Sequence, residues 1–254
     1  VRSSKPMIDI HAHILPGVDD GSPSMEDSIE MARLALQSGV RAMIATPHCD
    51  LPGVHCVAAR DIPLRVDLLT HALREAGLPL RIYPGMEIFG TPQTAERLKS
   101  GALCTLASSR YPLIEFPFAD YGPEATDILH SVLRLGLRPI VAHPERYAYT
   151  QTQPQLLSVW VSMGCLLQIN RGSLLGRFGE RAETLAHRML ERGFVSFVAS
   201  DAHYPTMRTP WLRDAAAFLL REYPTELAWK LLDQNPRCVL RDTEIETDEP
   251  RWFD

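Results

Sequence analysis

Short apolar runs alternate with longer amphipathic stretches along the whole chain. An apolar run of a few residues, bounded by Gly, Pro or polar residues, is typical of a strand that is buried on both faces of a sheet. We therefore predict seven strands, over residues 7–10, 40–45, 80–83, 113–115, 138–142, 165–169 and 194–199.

The intervening stretches carry apolar residues at the three-to-four residue spacing of an amphipathic helix. The first begins at Ser24, where Asp27 completes an approximate capping box, and the third begins at Thr91, where Pro92 suits the first helical position. A loop is predicted for residues 46–56. Strict alternation of strands and helices predicts a parallel α/β sheet. The predicted helices cover residues 24–39, 63–76, 91–101, 123–135, 154–163, 180–192, 210–221 and 225–234.

The composition is that of one globular domain. The chain has 254 residues, of which 45% are hydrophobic, and its net charge of −5 without a basic block argues against a nucleic-acid surface. No apolar run approaches the roughly 18 residues of a membrane span, and we see no signal peptide. Five Cys without framework spacing indicate a reducing, cytoplasmic location. We expect residues 1–6 to be a polar lead-in and 7–254 to form the domain.

Metal-competent side chains follow the predicted strands. His11 and His13 lie two apart, so on a strand they point to one face. In α/β barrels the active site lies at the carboxyl ends of the strands, which favours a closed or nearly closed barrel over an open sheet. The predicted ligands at these ends are His11, His13, Asp20, His48, Glu87, Glu115, His143, Asp201 and His203.

Nine nitrogen and oxygen donors exceed the needs of one metal ion and suit two or three ions that share a bridging carboxylate. The set contains no Cys, which favours Mn, Fe or Zn. Clustered ions lower the pKa of bound water to about 7 and stabilise phosphoryl displacement. Arg146 and Arg208 can bind phosphate through bidentate hydrogen bonds. The pattern therefore predicts phosphate-ester hydrolysis.

Other polar residues near the strand ends allow simpler interpretations. Asp19 can cap a turn, Glu145 can be a solvated charge or a partner of Arg146, and Asn170 can satisfy a strand end. The remaining His residues fall in predicted loops or helices and are interpreted as surface or packing residues. They are His55, His71, His130 and His187.

Six ordered motifs resemble the polymerase-and-histidinol-phosphatase (PHP) superfamily, and within it the bacterial manganese-dependent protein-tyrosine phosphatases of capsule and exopolysaccharide loci. The resemblance covers about residues 7–240. The motifs are Asp-Ile-His-Ala-His-Ile-Leu-Pro-Gly-Val-Asp-Asp-Gly, Ile-Ala-Thr-Pro-His, Gly-Met-Glu-Ile, Ile-Glu-Phe-Pro-Phe, Ala-His-Pro-Glu-Arg-Tyr and Val-Ala-Ser-Asp-Ala-His.

The resemblance implies a distorted barrel of seven strands and three metal ions. It assigns His11, His13, Glu87 and Asp201 to the first ion. Glu87, Glu115 and His143 would hold the second ion, and Asp20, His48 and His203 the third. Manganese is the metal that it favours.

Catalysis and substrate follow from the same resemblance. Arg146 and Arg208 match its phosphate-binding arginines, and Asp201 or His203 would protonate the leaving oxygen. The implied substrate is a phosphotyrosyl protein, the Tyr-rich tail of a membrane-associated bacterial tyrosine kinase that controls polysaccharide export. Tyr204 and the loop 49–56 depart from the pattern of relatives.

Four alternatives remain at this stage. Many amidohydrolases also open with His-x-His but bridge their metals with a carboxylated Lys, and the three Lys here lie in the lead-in or on predicted helices. A cysteine phosphatase would use Cys-x5-Arg, which occurs at Cys104 with Arg110 and at Cys165 with Arg171. The others are a further PHP phosphoesterase, such as a histidinol phosphatase, and a non-catalytic metal-bound kinase-binding module.

Overall fold

Parallel strands form the centre of the molecule, which is described by a computed structural model over residues 5–54, 56–119 and 124–253. Each strand hydrogen-bonds only to parallel neighbours within this part of the chain. The strands are β1 Met7–Ala12, β2 Val40–Ala45, β3 His48–Cys49, β4 Arg81–Pro84, β5 Glu87–Phe89, β6 Leu113–Glu115, β7 Ile140–Ala142, β8 Leu166–Asn170 and β9 Val195–Ala199.

The seven predicted strands are confirmed as β1, β2, β4, β6, β7, β8 and β9, and the two short strands β3 and β5 were not predicted. β3 follows β2 after Thr46 and Pro47, so the prediction of a loop over residues 46–56 is wrong at His48 and Cys49, and β5 follows β4 after Gly85 and Met86. Pro47 has no N–H to donate, so the ladder loses a hydrogen bond there, while its carbonyl accepts from the N–H of Glu87 at 3.1 Å. The break divides the strands into one sheet of order β1-β2-β4 and another of order β3-β5-β6-β7-β8-β9.

The first strand, β1, lies next to the chain segment that follows the last strand, β9. The N–H of His13 donates to the carbonyl of Ala202 at 2.8 Å, and the N–H of Asp201 donates to the carbonyl of His11 at 2.9 Å. An isolated parallel bridge joins Ala12 to Ala202. β1 therefore closes on the chain just beyond β9, and the expected distorted α/β barrel is confirmed.

Helices follow most strands and pack on the outer face of the barrel. They are α1 Met25–Ser38, α2 Ile62–Glu75, α3 Thr94–Lys99, α4 Glu124–Leu133, α5 Ala148–Thr152, α6 Gln155–Ser162, α7 Arg171–Leu174, α8 Glu180–Glu191, α9 Arg213–Glu222, α10 Thr225–Trp229 and α11 Asn235–Arg241. None of the helices among the described residues is long and apolar enough to cross a bilayer.

Hydrogen bonds at the helix starts explain which predicted starts are confirmed and which are wrong. Ser24 caps α1 as predicted, because its hydroxyl accepts from the N–H of Asp27 at 3.1 Å. The prediction that the third helix begins at Thr91 is wrong. The N–H of Thr94 donates to the carbonyl of Thr91 at 2.9 Å, which closes a turn before α3 begins.

The C-terminal helical region is longer than predicted. α10 passes through a π-helical segment, Lys230–Gln234, into α11, whose first turn contains Pro236. Pro236 therefore lies inside a continuous helix, where it cannot donate to an earlier carbonyl, and it closely follows the π-helical segment in which the hydrogen-bond pattern changes. The short helices α5 and α7 were not predicted. Residues 1–4 of the predicted lead-in, His55 and Pro123 lie outside the described residues.

The core has two parts on the two faces of the sheet. The larger part packs the sheet against α1, α2, α4, α6, α8 and α9. The smaller part lies on the other face, inside the barrel. It contains alternate residues of six strands with Leu106, Tyr111, Val239 and Ile245, namely Ile8, Ile10, Ala42, Ile44, Leu113, Ile140, Ala142, Leu166, Phe197 and Ala199. This packing supports the strand ends that carry the polar residues described next.

Candidate metal centre

The nine predicted ligands lie together at the carboxyl ends of the strands. Eight of them are buried, and Asp20 is exposed. Strand register places two of them side by side, because His48 of β3 pairs directly with Glu87 of β5. His143 and Asp201 follow β7 and β9 with φ of 33° and 50°, in the left-handed region. These turns end the strands and direct both side chains to the rim of the barrel.

Four donor atoms converge around Glu87. Nε2 of His11 and Nε2 of His13 are 3.3 Å apart, and each lies 3.1 Å from Glu87 Oε2. Each also lies 3.5 Å from Asp201 Oδ1. Ligand atoms about 2.1 Å from one tetrahedral ion are about 3.4 Å apart. The spacing of these four side chains therefore fits a single divalent ion.

A second group lies on the other side of Glu87. His48 Nδ1 is 3.2 Å from Glu87 Oε2 and 2.9 Å from Glu115 Oε1. His143 Nε2 is 2.9 Å from Glu87 Oε1 and 4.0 Å from Glu115 Oε2. The resemblance places only His143 with the two glutamates. In the structure His48 lies with them as well, so Glu87 and His48 both face more than one group.

The third group contains Asp20, His48 and His203 together with His13. Asp20 Oδ1 lies 3.5 Å from His48 Nε2 and 3.6 Å from His203 Nε2. Asp20 is exposed, so this group is the one that opens to solvent.

Several buried polar atoms of this cluster make no hydrogen bond within the described residues. They include Oε2 of Glu87, Oε1 of Glu115, Oδ1 of Asp201 and Nε2 of His203. An unsatisfied buried polar atom typically costs about 1–3 kcal/mol. These unsatisfied atoms face one another, and they belong to imidazoles and carboxylates. Such a group of ligands is suited to binding divalent cations.

Asp19 supports the cluster from behind. Its Oδ2 lies 2.7 Å from His13 Nδ1 and also accepts from the N–H of His48 at 3.0 Å. Its Oδ1 accepts from the N–H of Gly21 at 2.9 Å. A Cβ at position 21 would lie 2.4 Å from His13, so only glycine allows this close approach. Asp19 thus does more than cap a turn, because it leaves Nε2 of His13 free to face Glu87.

A chain of amides supports the opposite side. Gln168 Oε1 lies 2.9 Å from His11 Nδ1, and Gln168 Nε2 donates to Asn170 Oδ1 at 2.8 Å. Asn170 Nδ2 then donates to Asp201 Oδ2 at 2.6 Å. Both amides are on β8 and fully buried. Asn170 therefore orients a candidate ligand, and Gln168, which sequence reasoning missed, orients another.

The two predicted phosphate-binding arginines meet at Asp201. Arg208 Nη2 donates to Asp201 Oδ2 at 2.5 Å and Arg146 Nη1 at 3.3 Å. Both side chains are partly exposed, at 30% and 20%. They are thus held at the rim by one carboxylate, with a free side toward solvent.

Phe178 packs against both arginines and was also missed. The guanidinium carbon of Arg146 lies 4.2 Å from its ring centroid, and that of Arg208 lies 5.9 Å from it. Phe118 covers the other side of Arg146 at 4.6 Å. A Cβ at Gly172 would lie 2.5 Å from the Phe178 ring, so glycine there makes room for it. No local motif marks Phe178, because its role depends on residues distant in sequence.

Charge and burial set the protonation of the cluster. Burial lowers the pKa of His143 and of His203 to about 4, so both imidazoles are neutral at pH 7, the form that binds metal. Burial and the neighbouring Glu87 charge raise the pKa of Glu115 to about 7. Burial opposes ionisation of Asp201, but Arg208 and His11 outweigh it and hold its pKa well below the usual range.

Glu145 lies near the cluster but is not part of it, and His71, His130 and His187 lie away from it. The interpretation of Glu145 as a solvated charge is wrong, because it is fully buried and accepts from Asn170 N–H at 2.9 Å and Ser173 Oγ at 2.6 Å. Burial raises its pKa to about 7, while the nearby charge of Arg146 acts to lower it. His71 and His130 are exposed, and the half-buried His187 packs on Phe218. Their assignment as surface or packing residues is confirmed.

Neither Cys-x5-Arg match forms a phosphate site. Arg171 is bound by the Asp214 carboxylate at 2.5 and 2.6 Å, and Arg110 by Asp242 at 3.0 Å. Burial raises the pKa of Cys165 to about 12 and of Cys104 to about 11. Burial therefore keeps each thiol protonated at pH 7 and its arginine is already paired, so neither match provides the thiolate beside a free arginine that a cysteine phosphatase needs.

Comparison with known proteins identifies a family and several relatives of this chain. Residues 7–241 match the family model described as capsular polysaccharide synthesis, CpsB/CapC. The chain is 38% identical to tyrosine-protein phosphatase YwqE of Bacillus subtilis over 246 residues, which is 96% of each chain. It is 32% identical to tyrosine-protein phosphatase CpsB of Streptococcus agalactiae over 244 residues, 94% of this chain and 100% of the relative.

Solved structures resemble the fold closely. One from work on YwqE of Bacillus subtilis and CpsB of Streptococcus pneumoniae, described as metal-dependent tyrosine phosphatases, has a TM-score of 0.93 and 36% identity over 98% of this chain and 100% of that one. The phosphotriesterase homology protein of Escherichia coli shares the fold alone, with a TM-score of 0.60 and 13% identity over 91% of this chain and 97% of that one. The chain belongs to the CpsB/CapC family of capsular polysaccharide synthesis.

Proposed function

We propose that this chain is a metal-dependent protein-tyrosine phosphatase. The observation that carries the proposal is the position of Glu87 Oε2, which lies 3.1 Å from both His11 and His13 and 3.2 Å from His48. One buried carboxylate oxygen facing three imidazoles suits a bridge between cations. The names of the relatives support tyrosine phosphate as the substrate.

The nine clustered side chains would hold two or three divalent ions, with manganese favoured and iron or zinc as alternatives. Such ions supply an activated water and neutralise phosphate charge. The ligands would be His11, His13, Asp20, His48, Glu87, Glu115, His143, Asp201 and His203.

The chain's own cations would bind the phosphoryl group. Arg146 and Arg208 lie at the rim with their exposed sides toward solvent, and both are positioned by Asp201 and Phe178. Charge on the equatorial oxygens must be held in the transition state of phosphoryl transfer. The two guanidinium groups are placed to hold it.

Release of tyrosine needs little proton donation, because a phenol is a better leaving group than an aliphatic alcohol. Asp201 and His203 are the candidate proton donors to the leaving oxygen. Both pKa values lie below the usual range for their residue types, so at pH 7 neither group carries the proton that a general acid must donate. We therefore expect general-acid catalysis to contribute less than charge stabilisation.

The partner that we propose is a phosphotyrosyl protein in the cytoplasm, the Tyr-rich tail of a membrane-associated bacterial tyrosine kinase that controls polysaccharide export. Support comes from the family's description as capsular polysaccharide synthesis and from the tyrosine-protein phosphatase names of its relatives. Inorganic phosphate is the expected product.

Hydrolysis of a phosphotyrosyl peptide and of histidinol phosphate by metal-free protein, with Mn, Fe and Zn titrated separately, tests the proposal. We expect the peptide to be the better substrate and activity to depend on added metal. Faster hydrolysis of histidinol phosphate would instead support a different PHP phosphoesterase. Peptide binding without turnover at any metal concentration would support a non-catalytic kinase-binding module.

A further inference from the structure

Two thiols lie in contact beside the metal centre. Cys49 Sγ and Cys56 Sγ are 3.2 Å apart and seven positions apart in sequence. Cys49 is the last residue of β3 and is buried, whereas Cys56 is half-buried. Both residues line an open cavity together with Val57, Arg60 and Arg97. The pair is thus reachable from solvent through Cys56.

The geometry favours a covalent bond over a thiolate metal site. Asp50 is the only further donor near the thiols among the described residues, and its carboxylate is bound by Arg97. Two sulfurs bound to one tetrahedral ion at about 2.3 Å would be about 3.8 Å apart. The observed 3.2 Å is shorter, and a disulfide requires an approach of only about 1.2 Å more, to about 2.0 Å.

We propose that Cys49 and Cys56 form a reversible intramolecular disulfide that controls the metal centre. Neither thiol belongs to the nine clustered donors, so the site is separate from the one described above. The pair joins the two ends of the loop that follows His48 on β3.

The oxidant is a small-molecule disulfide. The more exposed Cys56, as its thiolate, attacks one sulfur of the oxidant and releases the first thiol, which leaves a mixed disulfide. The Cys49 sulfur gives its proton to solvent and attacks the Cys56 sulfur, which releases the second thiol. The protein loses two electrons and two protons, and the oxidant gains them as two thiols.

The disulfide should weaken metal binding, a consequence that rests on the proposed function. Cys49 directly follows His48, which faces Glu87 and Glu115. Drawing the two sulfurs together displaces the end of β3 and with it His48, and metal–ligand distances in a formed site vary by only about 0.2 Å. We therefore expect the oxidised protein to bind Mn²⁺ at least about fivefold more weakly than the reduced protein.

Treatment of the full metal-free chain with oxidised glutathione tests the bond itself. The wild type should lose two of its five thiols, keep no glutathione, and give a peptide that links Cys49 to Cys56 in mass spectrometry. Cys56→Ser should form no crosslink, whereas Cys238→Ser, a matched half-buried thiol, should still form it. A lasting mixed disulfide at Cys56, or no loss of thiols in the wild type, would overturn the proposal.

Calorimetric titration of Mn²⁺ into oxidised and reduced wild type tests the coupling. The weaker binding should be reversed by dithiothreitol and should be absent in Cys56→Ser treated identically. A crosslink with unchanged Mn²⁺ affinity would overturn control of the metal centre. If the reduced wild type binds no divalent metal at all, the proposed function fails while the thiol result stands on its own.

Discussion

Asp19 Oδ2 lies 2.7 Å from His13 Nδ1, and this contact determines which nitrogen of His13 faces Glu87. A carboxylate that holds one imidazole nitrogen raises the basicity of the other and fixes the ring, and loss of such a partner typically costs 10–100-fold in metal affinity. We therefore expect Asp19→Ala to weaken Mn²⁺ binding by about that factor in calorimetry. Asp27→Ala removes a carboxylate from the α1 capping box instead, and it should leave Mn²⁺ affinity unchanged. Equal affinities in Asp19→Ala and wild type would contradict the assignment.

The same pair predicts how stability depends on pH in the metal-free protein. Burial alone would raise the pKa of Asp19, but His13 outweighs it and lowers the pKa from 3.8 to about 2. A lowered carboxyl pKa stabilises the fold above pH 4 and loses that contribution as pH falls toward 2. The expected advantage of wild type over Asp19→Asn is about 2 kcal/mol at pH 6 and about half of that at pH 3, from urea unfolding. A difference that does not change between these pH values would show that the ion pair is not its source.

Phe178 should affect catalysis through the arginines without affecting the metal. Stacking against a guanidinium group contributes about 0.5–2 kcal/mol, and Phe178 contacts both Arg146 and Arg208. Phe178→Leu should therefore lower kcat/KM on a phosphotyrosyl peptide about tenfold, with unchanged metal content. Phe218→Leu removes a comparable aromatic contact with Arg221 and serves as the control. Loss of metal from Phe178→Leu would mean that the ring supports the fold of the site rather than the arginines.

Cysteine chemistry should contribute nothing to turnover. The thiols of Cys104 and Cys165 have raised pKa values, and their arginine partners are paired elsewhere. Cys104→Ser and Cys165→Ser should keep turnover of phosphotyrosyl peptide within a few-fold of wild type, whereas a chelator should abolish it. The opposite pattern would restore the cysteine mechanism.

The residues at the rim of the barrel could be predicted because the same local pattern, a short apolar strand followed by polar residues, is repeated along the chain. Each strand is a short apolar run, and the carboxyl ends of parallel strands meet at one edge. The two-residue spacing of His11 and His13, and the polar residues directly after the other strands, were therefore sufficient to collect all nine donors. The grouping around Glu87 was less predictable, because His48 reaches Glu115 only through the pairing of β3 with β5.

The supporting residues depend on contacts between distant parts of the chain. Gln168 reads as an ordinary position of a buried strand, and only the closure of the barrel brings it to His11, 157 positions away. Phe178 lies in a loop, and its contact with Arg146 requires the space left by Gly172. The start of α3 was misplaced for a local reason, since the chain first makes a turn closed by the N–H of Thr94 and the carbonyl of Thr91.

Turnover of a phosphotyrosyl peptide and elemental analysis of metal, made on the same samples of Glu87→Ala, Arg146→Ala and Arg208→Ala, test the central claim most directly. Glu87→Ala should lose metal and activity together, because its carboxylate faces His11, His13 and His48. The arginine variants should keep their metal and lose about 10²–10³ in kcat/KM, the usual effect of removing one charge-stabilising group. Full activity in both arginine variants, or retention of metal and activity in Glu87→Ala, would contradict the account.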